Sequence, residues 1–568
     1  MKNGYKLSVV AAAIMATASV SANVSVNPAP KNSPFIEDVK GTIIEDHSPK
    51  PMPRFRALDL MRSAPSVRGD WFNLSPLTTD IQGVGASAVY DFLLPPLMPQ
   101  PIIVAVMDSG VDVEHEDLKD NLWVNTGEIP DNGIDDDRNG YIDDVHGWNF
   151  LGNSMGIDVD HDTLEVTREY KKYLALKERN RWIPPKKLKY YQAVEADYLE
   201  SVTSNQTQLE AVLAAQTEAN SYKSIIVEKT DHTDFTADGV QILLTHSDPE
   251  VVAAAEGLLD VFKLWYSFAY MDSRKERYEE ALNYYYNLEL DTRRDIVMDN
   301  PYINWEKGYG NNNVKGPVGR HGTHVAGIIA AKRGNGIGID GVADHAKIMS
   351  VRVVPNGDER DKDIANGVRY AVDNGAKIIN MSFGKSYSPS KWVVDHAFRY
   401  AQRKGVLIVH SAGNSSNDND IKPSFPNRYS IFGALKPIST WMDVGASSKY
   451  ADADLVTYFS NFGQESVDIF APGHRILSTT PDNTYKAFSG TSMAAPVVSG
   501  VAALVWSYNP DLTAVEVKKL LMDTSRTYPG LMINKPSDPE QQVPFETLSI
   551  SGGIVDAETL FTDLGNRY

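Results

Sequence analysis

The 568-residue chain contains no cysteine. That absence excludes disulfides, thiolate metal sites, a cysteine nucleophile and a lipid-modified N-terminal cysteine. An exported chain of this kind needs another staple, and bound calcium is the usual one. Long apolar runs are missing too. The longest, Met493 to Trp506, is too short to span a bilayer and contains Pro496, Ser499 and Gly500, so it reads as a buried helix. Positive charge is in deficit. The formal net charge of -19 argues against nucleic acid and anionic membrane as partners, and it fits solubility and cation binding. What remains, 42% hydrophobic and 23% charged residues, is ordinary for a soluble globular protein, and the length exceeds what one typical core needs.

The N-terminus has the pattern of a signal peptide: Lys2 and Lys6, an apolar stretch from Leu7 to Val20, and the small-residue site Val20-Ser21-Ala22. Residues 1–22 are therefore expected to direct export to the periplasm or medium. Residues 23–68, rich in Pro and charge, read as a linker or short pro-segment. Globular text starts near Trp71, with a helix expected over Ala86–Leu94 and a strand over Ile102–Met107. Residues 109–150 are dense in Gly, Asn and Asp and are expected to form loops. Residues 155–300 change character, with helical spacing over Leu164–Arg179, Tyr190–Ala219 and Pro249–Leu290; their Tyr and Leu stripes read as packing faces. From Gly319 short strands alternate with helices: strands at Ile348–Val354, Lys377–Met381 and Val406–Ser411, helices at Ile364–Asn374, Lys391–Arg403 and Ser492–Tyr508. That alternation predicts an α/β fold, a doubly wound, mostly parallel sheet with helices on both faces and its site at the strands' carboxyl ends. The fold would be built from 69–154 and 301–568, with 155–300 as a helical insertion.

Four segments carry chemistry. In Val104-Ala105-Val106-Met107-Asp108 an acid ends an apolar strand, where a buried carboxylate can orient a histidine, although a turn-capping Asp looks the same. In His321-Gly322-Thr323-His324 a histidine opens a small-residue helix. No Glu follows in the zinc-peptidase pattern, so His324 reads as a packed structural residue rather than a metal ligand. In Ser489-Gly490-Thr491-Ser492 a serine enters a helix, whose N-terminus offers N–H groups to a developing anion; alone it would be an N-cap. In Ser411-Ala412-Gly413-Asn414 an amide follows a strand and a glycine, where it can donate to an oxyanion or simply close a turn.

Taken together, the order Asp, His, Asn, Ser with these flanks resembles the subtilisin-like serine peptidases, the subtilases. The resemblance covers about residues 70–150 and 300–560. It implies Ser492 as nucleophile, His321 as general base and acid, Asp108 as the residue orienting the histidine, and Asn414 as oxyanion donor. It also implies that Ser382, Phe383 and Gly384 pair with an extended peptide substrate, while Ser411, Ala412 and Gly413 form the opposite wall of the first specificity pocket. Asn380-Met381-Ser382 and Asn414-Ser415-Ser416 match the glycosylation sequon, but their place in the site sets those matches aside.

A calcium loop is expected at 135–144. Asp135, Asp137 and Asn139 offer side-chain oxygens and Tyr141 a carbonyl, as in the first half of an EF-hand loop. His146 stands where the closing Glu would be, so Asp144 or Asp143 closes the shell. The family resemblance alone suggests a second calcium site, from Asp117, Asn335 and the carbonyls of Ile337 and Ile339.

Asp108 and His321 are 213 positions apart, an interval the helical block lengthens. Emerging between acid and base, the block is expected near the cleft rim as a lid, a partner-binding or self-association arm, or an internal inhibitor. Two rivals to an endopeptidase stand at this point. One is a peptide-binding or assembly protein working through that block. The other is a serine esterase, disfavoured because no Gly-x-Ser-x-Gly surrounds Ser492.

Overall fold

Residues Ile102 to Asp108 are almost wholly buried, with Val104 and Val106 turned to one core and Ala105 and Met107 to the other. A strand apolar on both faces needs cover on both. The computed structural model describes residues 69–300, 303–431 and 436–565. The expected signal peptide and the 23–68 segment lie outside these described residues. The strands in chain order are β1 Ile102–Asp108, β2 Gly147–Asn149, β3 Ala346–Arg352, β4 Ile378–Met381, β5 Leu407–Ser411, β6 Trp441–Ser447, β7 Ile469–Pro472, β8 Ile476–Thr480, β9 Thr484–Phe488, β10 Arg526–Thr527, β11 Met532–Lys535, β12 Asp538–Pro544 and β13 Gly553–Ile554. Among the described residues, nine form one sheet in the order β10-β13-β7-β6-β5-β4-β1-β3-β2. Every neighbouring pair in it is parallel except β10 with β13. Helices Arg320–Ala330 and Thr491–Tyr508 cover one face, and Asp361–Asp373 and Lys391–Arg403 the other. This is a doubly wound, mostly parallel α/β fold.

Local differences from the sequence expectation have physical causes. The loop region 109–150 contributes β2, an edge strand beside β3, because Trp148 and Phe150 bury there. The helix expected from Ile364 begins at Asp361, where Asp361 and Asp363 sit favourably in its first turn. The stretch Pro249–Leu290 is not one helix. It breaks at Tyr266, whose φ is 56°, and restarts where the Ser267 side chain accepts the Tyr270 N–H.

The helix Thr491–Tyr508 is the one described helix long and apolar enough to cross a membrane, and all its residues are buried in the core. Pro496 lies inside it and lacks an N–H, so the Ser492 carbonyl four residues earlier has no helical donor. The Ser382 hydroxyl donates to that carbonyl at 2.9 Å.

Residues 155–300 carry helices Glu165–Glu178, Pro185–Lys229, Pro249–Trp265 and Phe268–Glu280. Two cores hold them. Near the sheet, Tyr170 stacks on Tyr198 and Tyr173 on Tyr191. At the far end of the 45-residue helix, Val212, Ala215, Ala219 and Ile226 pack with Val251, Leu258 and Phe262.

Candidate active site

Asp108 ends β1 and is 1% exposed. Its Oδ1 accepts the Ser109 N–H and lies 2.7 Å from His321 Nδ1. Glycine makes that approach possible. A Cβ on Gly322 would lie 2.2 Å from the Gly110 carbonyl oxygen and 3.1 Å from Asp108 Cβ, so only glycine lets the helix seat His321 against the strand end. His321 Nε2 is buried and makes no hydrogen bond among the described residues. His324, one turn on, faces away. Its Nε2 lies 3.0 Å from the Lys486 carbonyl and its ring stacks on Phe488; burial pushes its pKa down to about 3. It is a neutral packing residue, as expected.

Ser492 is the second residue of its helix and fully buried. Its Oγ donates to the Ser382 carbonyl at 3.1 Å. Asn414 follows β5, and its Oδ1 accepts both the Thr491 N–H (2.8 Å) and the Thr491 hydroxyl (2.9 Å). Two donors on the oxygen leave Nδ2 as the outward donor, and Nδ2 has no acceptor among the described residues. The space above Gly490 shows what it faces: a Cβ there would lie 3.3 Å from Asn414 Nδ2 and 3.6 Å from Ser492 N. Two nitrogen donors thus lie near one point at a helix N-terminus, an arrangement suited to an oxyanion.

A model of the Subtilase family matches residues 100–543. The chain belongs to the subtilase family. Thermitase of Thermoactinomyces vulgaris is 43% identical over 188 residues, 33% of this chain and 61% of thermitase. A thermophilic serine proteinase of a Bacillus species is 37% identical over 215 residues, 38% of this chain and 48% of its own length. Subtilisin Savinase of Lederbergia lenta is 39% identical over 206 residues, 36% of this chain and 70% of its own length. The match to thermitase and to the Bacillus proteinase thus spans less than two thirds of either protein. A solved protease structure from Pseudoalteromonas arctica is 31% identical, covering 43% of this chain and 70% of that one, with a TM-score of 0.35.

In this subtilase, Ser382 and Phe383 are buried at the end of β4, and Gly384 is half-buried. A Cβ on Gly384 would meet Ser424 Oγ at 3.1 Å and the Phe425 carbonyl oxygen at 3.3 Å, so glycine leaves a slot there. Ser411 ends β5, and the Ala412 carbonyl accepts the side-chain amides of Asn461 (3.0 Å) and Asn419 (2.9 Å). Gly413 has φ +108°, and a Cβ on it would strike Asn461 Nδ2.

The acidic loop assembles differently from the expectation. The converging carboxylates are Glu128, Asp137 and Asp144, which can each place an oxygen within 4.8 Å of the others. Asp135 is not among them: its carboxylate accepts the N–H groups of Asn139 and Gly140 and shapes the turn. The Asn139 amide bridges Asp137 and Asp144, as does that of Asn125. Tyr141 turns its ring into the aromatic core beside Trp148 and Tyr370. Glu128 lies outside the 135–144 segment, and no spacing rule in the sequence marks it as a partner of Asp137 and Asp144. Burial pushes Asp144 up to about 6 against bonds from Tyr370, Asn125 and Asn139, with Asp137 adding to the rise.

At the suggested second calcium site the structure brings Asp117 and Asn335 together. Asp117 accepts the Asn335 amide at 2.7 Å and the Ile339 N–H at 3.1 Å, and the Asn335 oxygen accepts the Ile337 N–H. Hydrogen bonds thus tie Asp117 to this loop through the Asn335 amide and the Ile339 N–H.

Proposed function

We propose that this subtilase is a serine endopeptidase that cleaves extended polypeptide through an acyl-enzyme. Ser492 Oγ attacks the scissile carbonyl carbon while His321 Nε2 takes its proton. Asp108, bonded to Nδ1, holds the ring in the tautomer that leaves Nε2 free to accept and stabilises the imidazolium. The carbonyl oxygen, now an oxyanion, receives hydrogen bonds from Asn414 Nδ2 and Ser492 N. The imidazolium protonates the leaving amine, and a water then releases the acyl group by the same route. The Ser382 carbonyl holds the serine hydroxyl at rest, and a peptide pairing with residues 382–384 competes for that carbonyl, turning the hydroxyl towards His321.

The observation that carries this reading is the convergence of Asn414 Nδ2 and Ser492 N over Gly490, at the head of the helix bearing Ser492. The test is cleavage of casein by the purified chain against Ser492→Ala. Loss of cleavage in the variant, by roughly 10⁶-fold in kcat, supports the assignment. Equal cleavage by both proteins sinks it.

Glu128, Asp137 and Asp144 fit calcium as a structural ion. Three carboxylates with hard oxygen donors, two of them buried, crowd one another unless a cation or a proton neutralises them. Calcium there would brace the loop beside β2 and the helix bearing Tyr370. Export to the periplasm or medium, directed by residues 1–22, completes the proposal.

A further inference from the structure

The strand that follows β4 carries polar groups on two edges, and one edge is already occupied. Lys385 donates its N–H to the Phe425 carbonyl (2.7 Å) and accepts the Phe425 N–H (3.0 Å). In an extended strand, backbone groups of alternate residues point to the same edge. Phe383 and Lys385 therefore share the inner edge, which leaves the groups of Ser382 and Gly384 for the cleft. The last ladder pair between β4 and β5 is Met381 with His410, so the Phe383 carbonyl lies past the end of that ladder. The His410 side chain reaches it instead, with Nε2 2.9 Å from the Phe383 oxygen.

The other ring nitrogen makes this contact unusual. His410 Nδ1 lies 2.7 Å from Asp443 Oδ1. Both partners are acceptors, so a ring making both bonds carries a proton on each nitrogen. Asp443 is kept ionised: burial pushes its pKa up, but Arg428 and His410 outweigh burial and hold it below the usual carboxylate range. Arg428 also binds Asp468, and Lys518 bonds to Asp468 from the far side. Asp443, Arg428, Asp468 and Lys518 thus form one charged chain beside the ring, which is 2% exposed and packed beside Trp441.

We propose that His410 is a positioning residue of the substrate-binding edge. As an imidazolium it draws the Phe383 carbonyl inward, and so aims the backbone groups of Ser382 and Gly384 at the peptide. The proposal rests on the peptidase reading given above.

Two measurements test it. In histidine ¹⁵N-labelled protein at neutral pH, His410 is expected to show an N–H on both ring nitrogens; a single N–H, as in a neutral tautomer, would overturn the proposal whatever the enzyme does. The second compares His410→Gln with the parent on a tetrapeptide nitroanilide and on a one-residue ethyl ester. Loss of a charge-assisted bond to the strand is expected to lower kcat/KM for the tetrapeptide by roughly 10- to 100-fold. The ester, which cannot pair beyond one residue, is expected to change less than about threefold by the same reasoning. An equal fall on both substrates would make His410 merely structural. If the parent cleaves neither, the peptidase reading fails. Binding of an unstructured hexapeptide to Ser492→Ala, with and without His410→Gln, then decides this proposal alone: unchanged or absent binding defeats it.

Discussion

The sheet core and the helical insertion are both built from helices and apolar contacts, yet they are held by different physics. In the core, helix Thr491–Tyr508 is buried all round, and neighbours approach so closely that glycine is required. A Cβ on Gly327 would strike Thr479, and one on Gly500 would strike Val342. In the insertion, the 45-residue helix buries a narrow stripe only, and stacked tyrosines hold its base. The joint between the two regions is neither. It is a set of buried charges: Lys385, directly after Gly384, meets Glu165 of the insertion at 3.0 Å and Asp361 of the core at 2.8 Å. At the other end of the insertion, Arg293 meets Asp363 at 2.8 Å. The core is placed by close packing, while the insertion is fastened at its two ends by ion pairs, one of them at the residue after Gly384.

The largest expected effect separates the regions by function. Asp108→Asn is expected to lower kcat on peptides by about 10⁴-fold through the wrong histidine tautomer. Far-UV circular dichroism should be unchanged, because nothing in the insertion touches that bond. A loss of helix signal in this variant would show that the two regions are not separable in this way.

Next in size is the joint. Lys385→Met leaves Glu165 and Asp361 buried beside one fewer cation and is expected to cost about 3–5 kcal/mol in urea unfolding. Burial pushes Glu165 up, but Arg168 and Lys385 outweigh it and hold it well below the usual range. A depressed folded pKa means stability that is present above the unfolded pKa of about 4.3 and lost as pH falls below it. The difference between parent and Lys385→Met should therefore shrink on acidification. For the same reason, deleting 155–300 outright would strand Lys385 without Glu165, so loss of activity in that deletion would not by itself reveal a lid or inhibitor.

Calcium comes third. Asp144 has its pKa raised to about 6, first by burial. A raised carboxylate makes the folded state bind the extra proton, so without cation this group's contribution falls as pH rises from about 4 to 6. Calcium takes the proton's place. Adding it should raise Tm by several degrees at pH 7, about what 1–3 kcal/mol of binding gives, and by less at pH 5. An equal rise at both pH values would place the ion elsewhere.

The smallest effect is at His161, in the insertion. Asp160 and Glu280 hold its pKa up at about 9, and its ring stacks on Tyr284. A raised histidine pKa stabilises fully below the unfolded value near 6.5 and is lost as pH climbs through about 9. The pair is partly exposed, so His161→Gln is expected to cost only about 1 kcal/mol at pH 6. The cost should vanish above the folded pKa.

Much of this was legible in the chain. Ile102–Met107 reads as a strand because its apolar run is short and is followed by Gly-, Asn- and Asp-rich text, and the strand observed runs one residue further, to Asp108; Lys391–Arg403 reads as a helix from its spacing alone. Asp108, His321, Asn414 and Ser492 each stood at the end of an element, where α/β sheets keep their sites. What was not legible depends on distant partners. Glu128 looked like one acid among many until the loop folded it against Asp137 and Asp144. Nothing local marks Lys385 as buried, yet its side chain is 1% exposed. The bond from the Ile339 N–H to Asp117, 222 positions away, has no local signal either.

The sequence by itself determined the elements, the small-residue helices and the residue types at the site, because periodicity and steric size are properties of neighbouring residues. Tertiary structure alone decided which groups face each other across the 213 positions between Asp108 and His321, how far Asn414 Nδ2 lies from Ser492 N, and which charges are buried. Those depend on chain closure and on desolvation by residues far away in sequence, which no local pattern encodes.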